Sequence, residues 1–220
     1  MVYELIRSKT LSELIRADYA NRDMYVRMYA DICKKVRAIH TDDPVIPSFK
    51  DVNRADIAKI EGITEAERAY LHRFLDHVPD GDTCIHGDLN INNIMVQDGE
   101  CCLIDMGELS TGMPMFDLSR IVFSMVYANT APGTYNEFYK MPADQVREVY
   151  DLFFKAYFGC ANVEEAEKSD PDVKWLHPLA WFRCCTSMLK GNRWSDEMRQ
   201  KALYLLRDRL IPFVEQAERV

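Results

Sequence analysis

The chain has 220 residues, 27 Lys+Arg against 35 Asp+Glu, a formal net charge of −8 and 48 % apolar residues. This is the balance of a globular protein long enough to bury a sizeable core without disulfides. The acidic excess argues against a nucleic-acid binder, which would present a basic face, and suits a small cationic or metal-bound partner. No apolar run approaches a membrane span, and Met1–Arg7 has no apolar core of signal-peptide length. The seven Cys include two adjacent pairs, Cys101-Cys102 and Cys184-Cys185, and no CxxC spacing. That pattern fits neither a zinc site nor a secreted disulfide framework, so a reducing cytoplasm is expected.

In chain order, residues 1–6 read as a short strand. Thr10 and Glu13 have capping-box spacing and start a helix near Leu11. Tyr25, Met28, Tyr29, Ile32, Val36 and Ile39 then form one helical stripe. Residues 41–63, with Pro44 and Pro47, read as a loop-rich connection. Thr64 and Glu67 form a second capping box and open a helix to about His77. Cys84-Ile85 is a brief extended piece. Ile94–Gln97 and Glu100–Ile104 flank Asp98-Gly99, the pair that a tight hairpin turn needs, because both central residues require positive φ. After Asp117 everything reads helical. Val146, Val149, Tyr150, Phe153 and Tyr157 make a stripe stopped by Gly159. A helix is expected over 173–190 and a last one from Ser195 to Pro212. There is no repeat and no domain linker.

Polar residues frame the hairpin. His86-Gly87-Asp88-Leu89-Asn90-Ile91-Asn92-Asn93 precedes it, and Ile104-Asp105-Met106-Gly107 follows it. Paired strands bring their outer ends together, so Asn93 and Asp105 are expected near each other, with Asp88 on the loop entering the same end. Carboxylates and an amide supply the hard oxygen ligands that Mg²⁺ prefers, completed by phosphate oxygens and water. A further carboxylate left free of the metal can accept a proton from an attacking hydroxyl. This is the division of labour that phosphoryl transfer needs. Any one of these residues alone would read as a turn residue; the joint order and spacing is specific.

His86-x-Asp88-x-x-x-x-Asn93, a Gly-turned hairpin, then an apolar strand ending in Asp105-x-Gly107 resembles the catalytic loop and metal-binding segment of protein-kinase-like folds. Gly87 stands where protein kinases usually carry Arg, and Met106-Gly107 follows Asp105 in place of Phe-Gly. Gly112-Met113-Pro114-Met115-Phe116-Asp117 comes too soon for a long activation segment. These features resemble the aminoglycoside phosphotransferase/choline kinase family of small-molecule kinases. The resemblance implies a mostly α fold with a small β-hairpin, the C-terminal lobe of a protein-kinase-like enzyme. It implies Mg²⁺ and ATP, the latter as co-substrate. Position by position, it makes Asp88 the catalytic base and Asn93 and Asp105 the Mg²⁺ ligands. His86 would brace the catalytic loop, and Asp117 would hydrogen-bond it from the start of the next helix. Glu4, Leu5 and Ile6 resemble the hinge segment facing adenine, so residues 1–8 would be the hinge and 9–220 the lobe. Asn90-Ile91-Asn92 departs from the His-Pro-Gly often found there.

The family's N-terminal lobe, with its phosphate-covering loop and Lys, would precede that hinge, and no G-x-G-x-x-G occurs in the chain. Two functions are therefore expected as alternatives. One is transfer of the ATP γ-phosphate to a hydroxyl of a small molecule, in one reading a cationic one such as an aminoglycoside or choline. The other is a non-catalytic truncated module that binds or scaffolds. Uncovered Val2, Leu5 and Ile6 would favour a two-fold homodimer. Two weaker features are an acidic run, Glu164, Glu165, Glu167, Asp170 and Asp172, and an aromatic set, Trp175, Trp181, Trp194 and Tyr127. The run reads first as a solvated helix end and the aromatics as core. Their functional alternatives are an amine-attracting patch and a cage for a quaternary ammonium.

Overall fold

The structure is a computed structural model that describes residues 8–128, 131–191 and 193–219. The strand expected at residues 1–6, with Glu4, Leu5 and Ile6 of the expected hinge and Val2 of the expected dimer contact, lies outside the described residues.

Strand β1 (Lys9–Thr10) leads into helix α1 (Leu11–Ala17). The capping box forms as expected: the Glu13 N–H donates to Thr10 Oγ1 at 3.2 Å, and the Thr10 N–H donates to Glu13 Oε2 at 2.8 Å. Helix α2 (Arg22–Arg37) buries Val26, Tyr29, Ala30, Cys33 and Val36. The expected stripe is thus rotated. Tyr25 and Ile32 are only half-buried, and Ile39 lies beyond the helix, 52 % exposed. The connection over 41–63 holds a helix that its sequence hides, α3 (Phe49–Ile57). It has two and a half turns and buries only Phe49 and Ile57 as large apolar groups, too few to show a period. Helix α4 (Glu65–His77) follows its capping box and ends at the expected residue.

Next come β2 (Thr83–Ile85), β3 (Ile94–Gln97), β4 (Glu100–Leu103) and β5 (Ser110–Gly112). β3 and β4 form the expected antiparallel hairpin, in register Ile94↔Leu103 to Gln97↔Glu100. Its turn residues Asp98 and Gly99 have φ of 52° and 82°. β1 pairs with the other edge of β3. β2 pairs antiparallel with β5, in register Thr83↔Gly112 and Ile85↔Ser110. That small ladder is the frame of the site. The polar loop 86–93 leaves one of its strands, and the chain passes from the other into α5 (Met115–Val122).

α5 runs into a π-helical turn, Phe123–Tyr127. The all-helical stretch expected after Asp117 is interrupted by a two-strand ladder, β6 (Tyr135–Asn136) with β7 (Met141–Pro142). Helix α6 (Ala143–Phe158) buries its whole expected stripe and stops at Gly159, which has φ 74°. α7 (Val163–Ser169), a 3-10 turn (Pro171–Trp175) and α8 (Leu176–Met188) follow. Pro178 sits in the first turn of α8, where its missing N–H breaks no ladder bond. After α9 (Asp196–Leu205), a π-helical turn (Leu206–Leu210) connects to α10 (Ile211–Ala217). The last helical run therefore passes Pro212 instead of ending there; the proline stands in the first turn of α10, and the wider turn precedes it.

The core is one cluster in which α5 packs on α8 and α2 on α6. Phe74 of α4 stacks on Phe182 of α8, with ring centroids 5.2 Å apart, and meets Phe213 of α10 edge-on.

Candidate active site

The loop from His86 to Asn93 is a short irregular segment with buried backbone, so its polar groups need partners. Asp117, in the first turn of α5 and 4 % exposed, supplies two of them. The His86 N–H donates to its Oδ2 at 2.8 Å and the Gly87 N–H to its Oδ1 at 2.9 Å. Asp117 does not cap α5; the N-cap position is Pro114. Burial pushes its carboxyl above the ordinary range, and the two amides pull the other way.

His86 is 1 % exposed. The Asp88 N–H donates to its Nδ1 at 3.3 Å, which leaves Nε2–H to donate to the Ile104 carbonyl at 3.0 Å. Both ring nitrogens are thus occupied in tying loop 86–93 to the segment after β4. Gly87 has φ 87°, and a Cβ there would lie 2.4 Å from Glu108 Cβ, so no other residue fits. Tyr29 Oη donates to the Leu89 carbonyl at 3.3 Å, and the Ser12 N–H at the start of α1 donates to the Ile91 carbonyl at 3.0 Å.

This scaffold presents Asp88. Its Oδ1 accepts from Asn90 Nδ2 at 3.0 Å and from Arg120 Nε, and its Oδ2 accepts from Asn93 Nδ2 at 3.1 Å. Burial raises the Asp88 pKa, but the charge and hydrogen bond of Arg120 outweigh it and hold the carboxyl below the ordinary range. Arg120 is itself fixed by the rings of Phe123 and Phe138, 5.0 and 5.5 Å from its guanidinium carbon.

Asn93 and Asp105 leave the same end of the hairpin, where the Ile104 N–H donates to the Asn93 carbonyl at 3.0 Å. Asn93 commits its amide nitrogen to Asp88, bonding both the carbonyl oxygen at 2.9 Å and Oδ2. Its Oδ1 is left as an acceptor without a donor among the described residues. Asp105 sits in the left-handed region, φ 63° and ψ 57°, and is exposed. Its carboxylate has neither an ion pair nor a hydrogen bond among the described residues. An amide oxygen and a carboxylate, both free and both hard, suit a divalent cation such as Mg²⁺, which takes the rest of its shell from phosphate and water. Among the described residues no group of three or more His, Cys, Asp and Glu could hold a metal by itself.

A cavity of about 370 Å³ opens beside Asp88. Its walls come from the site loops, from α3, α5 and α8, and from the segment around Trp194. Asn93 and Asp105 lie outside its lining, so metal-type ligands and cavity flank Asp88 separately. Arg120 and Arg183, which sequence reasoning passed over, are in the lining. Their signal was present: each is the single Arg of a mostly apolar helix, and an Arg at least part-buried there needs a reason. The acidic run does not reach the cavity. Glu164 and Glu165 occupy the first turn of α7, and Asp170 pairs with Arg37 at 2.5 Å. Of the aromatic set only Trp194 lines the cavity. Trp175 is in the core, and Trp181 Nε1 donates to Tyr127 Oη at 2.8 Å. No cage forms.

Sequence comparison matches residues 36–153, just over half of the chain, to the phosphotransferase enzyme family. The chain belongs to that family. Solved structures of phosphotransferases share its fold. An amicoumacin kinase in complex with AMP-PNP, Ca²⁺ and Ami is 14 % identical, with TM-score 0.56, over 95 % of this chain and 65 % of its own. An ethanolamine kinase from Plasmodium vivax is 12 % identical, with TM-score 0.53, over 97 % of this chain and 65 % of its own. An aminoglycoside phosphotransferase in a ternary complex with ADP and hygromycin B is 14 % identical, with TM-score 0.52, over 94 % and 69 %. This phosphotransferase-family chain thus spans about two thirds of the length of such kinases. No protein of curated function matches it in sequence. The fold is protein-kinase-like and mostly helical, and no helix among the described residues is long and apolar enough to cross a membrane.

Proposed function

We propose that this chain carries the catalytic-loop lobe of an ATP- and Mg²⁺-dependent kinase that phosphorylates a hydroxyl of a small molecule. Residues 9–220 would form that lobe, with the adenine side at residues 1–8. The observation that carries the reading is Asp88. It is a carboxylate kept ionised, pinned on both oxygens by its own loop and by Arg120, and set between a cavity on one side and two unpartnered oxygen ligands on the other.

Asn93 Oδ1 and the Asp105 carboxylate would hold Mg²⁺, which when bound neutralises phosphate charge. Asp88 orients the acceptor hydroxyl through the lone pairs that its three hydrogen bonds leave free. With its pKa held low, it is a weak base toward a free alcohol. It takes the proton late, once bonding to phosphorus has made that hydroxyl acidic, as suits a loose phosphoryl-transfer transition state. His86, with both nitrogens occupied, and Asp117, buried under the loop, position Asp88 and transfer nothing.

The test separates metal from base. Mn²⁺ binding, read by water-proton relaxation, should weaken by about tenfold or more in Asp105→Ala, the loss of one of only two protein ligands. Asp88→Asn should leave that binding within about threefold. Transfer from ATP to a panel of hydroxyl acceptors, assayed with the complete polypeptide, should instead collapse in Asp88→Asn by roughly the 10²–10⁴-fold that a positioned base contributes. Undiminished transfer by Asp88→Asn would remove the base role. Metal binding with no transfer to any acceptor would leave a binding module.

A further inference from the structure

The charges that line the cavity beside Asp88 do not cancel. Two pairs are closed. Arg120 is spent on Asp88, and Lys190 on Asp56 at 2.7 Å, with Lys59 sharing Asp56 at 3.0 Å. Two guanidinium groups remain in the wall. Arg183, on α8, is 7 % exposed. It lies over the Phe116 ring, 4.0 Å from its centroid, and its one hydrogen bond goes to the Gly87 carbonyl at 2.5 Å. Among the described residues it has no ion pair, and its Nε is buried without a hydrogen-bond partner. Burial and the nearby charge of Arg120 bring its pKa down to about 10, against the opposing pull of the Glu108, Asp117 and Asp88 carboxylates. Arg193 is exposed, lines the same cavity and has no partner among the described residues. Against these two stands one unpaired carboxylate of the lining, Glu108, which is exposed.

A buried cation with carboxylates nearby but no direct ion pair still has donors to offer, and a ligand oxygen can take them. The flat guanidinium fork matches carboxylate and phosphate oxygens. An amine acceptor, the kind that the chain's overall acidity suggests, would meet four cationic side chains and only three carboxylates, two of them already paired. We propose that the acceptor seated in this cavity is a hydroxyl compound bearing an anionic group, a carboxylate or phosphate, held by Arg183 and Arg193 while its hydroxyl faces Asp88. The hydroxyl rests on the phosphotransferase reading; the anion rests on the cavity alone.

Four small probes of similar size, glycerate, glycerol 3-phosphate, glycerol and ethanolamine, test this by titration against the 220-residue chain with saturation-transfer NMR. At least one anionic probe should bind about tenfold or more tighter than glycerol and ethanolamine, and whichever anion binds tighter identifies the group. Arg193→Gln, an exposed change, should weaken that probe about three- to tenfold with the melting temperature unchanged, and Arg193→Glu should weaken it further. Equal or tighter binding of glycerol or ethanolamine overturns the proposal, as does anionic binding indifferent to both Arg193 variants. Phosphate transfer is read separately. Transfer to ethanolamine without binding of either anion would keep the kinase and discard the anionic acceptor. Arg193-dependent anion binding with no transfer to any acceptor would keep the anion site and discard the kinase.

Discussion

Asp88 and Arg120 show how much one side chain can depend on another 32 residues away. Arg120 lies one helical turn beyond Asp117, so the same face of α5 supplies both the carboxylate that holds the loop backbone and the guanidinium that holds the loop's acid. Arg120→Gln should cost about 2 kcal/mol near neutral pH, the order expected for a lost charged hydrogen bond in a part-buried pair. The folded-state pKa of Asp88 is depressed. The pair's contribution is therefore present above the unfolded value, about 3.9, and is lost as pH falls through the folded one. Thermal melts of both proteins between neutral pH and about pH 3 should show the gap closing at the acid end. A gap that stays constant to pH 3 would mean that Arg120 stabilises through Phe123 and Phe138 and not through Asp88.

At the scale of elements, α4 is a helix fastened at its first turn. The Thr64 N–H donates to Glu67 Oε2 at 2.7 Å, the Glu67 N–H donates to Thr64 Oγ1 at 3.2 Å, and Arg207 Nε donates to Glu67 Oε1 at 2.6 Å. The cap thus also anchors the π-helical turn before α10. The bond from Arg207 leads in holding the Glu67 carboxyl below its ordinary range; burial opposes it and the cap assists. Thr64→Ala should cost about 1 kcal/mol, or about 2–4 °C in melting temperature at this chain length. Glu67→Gln should cost more at pH 7 than at pH 3.5. A depressed carboxylate gives its stability above the unfolded pKa, about 4.3, and loses it as pH falls through the folded value. Urea titrations at the two pH values check both variants.

Across the whole molecule, the aromatic centre ties together elements far apart in the chain. Phe74 of α4 touches Trp175, Phe182 of α8 and Phe213 of α10. Phe74→Ala should cost about 3–5 kcal/mol, the range for removing a buried Phe. That is a large share of the 5–15 kcal/mol that typically holds a protein folded. Urea unfolding followed by Trp fluorescence measures the loss directly. A cost under about 1 kcal/mol would show that the surrounding rings collapse into the space.

Local chemistry sufficed for the parts of the fold and site that contacts between sequence neighbours decide. The two capping boxes, the Asp98-Gly99 turn and the α6 stripe with its Gly159 stop depend on residues a few positions apart, and the order His86, Asp88, Asn93, Asp105 and Asp117 stands in one short stretch around that hairpin, so their spacing was readable in the chain. Other features depend on groups brought together from a distance. α3 exists because its two large apolar side chains find the core, not because they show a period. α2 turns its Val26 and Cys33 inward because α6 lies there, which the stripe alone could not settle. Most of all, the charge of the cavity is a tertiary property. A net −8 for the chain suggested a cationic partner, yet folding places most of those carboxylates elsewhere and leaves Arg183 and Arg193, among the described residues, without an ion pair beside Asp88. Net charge sums over a surface, whereas a ligand responds to the few charged groups within a Debye length of it and out of water.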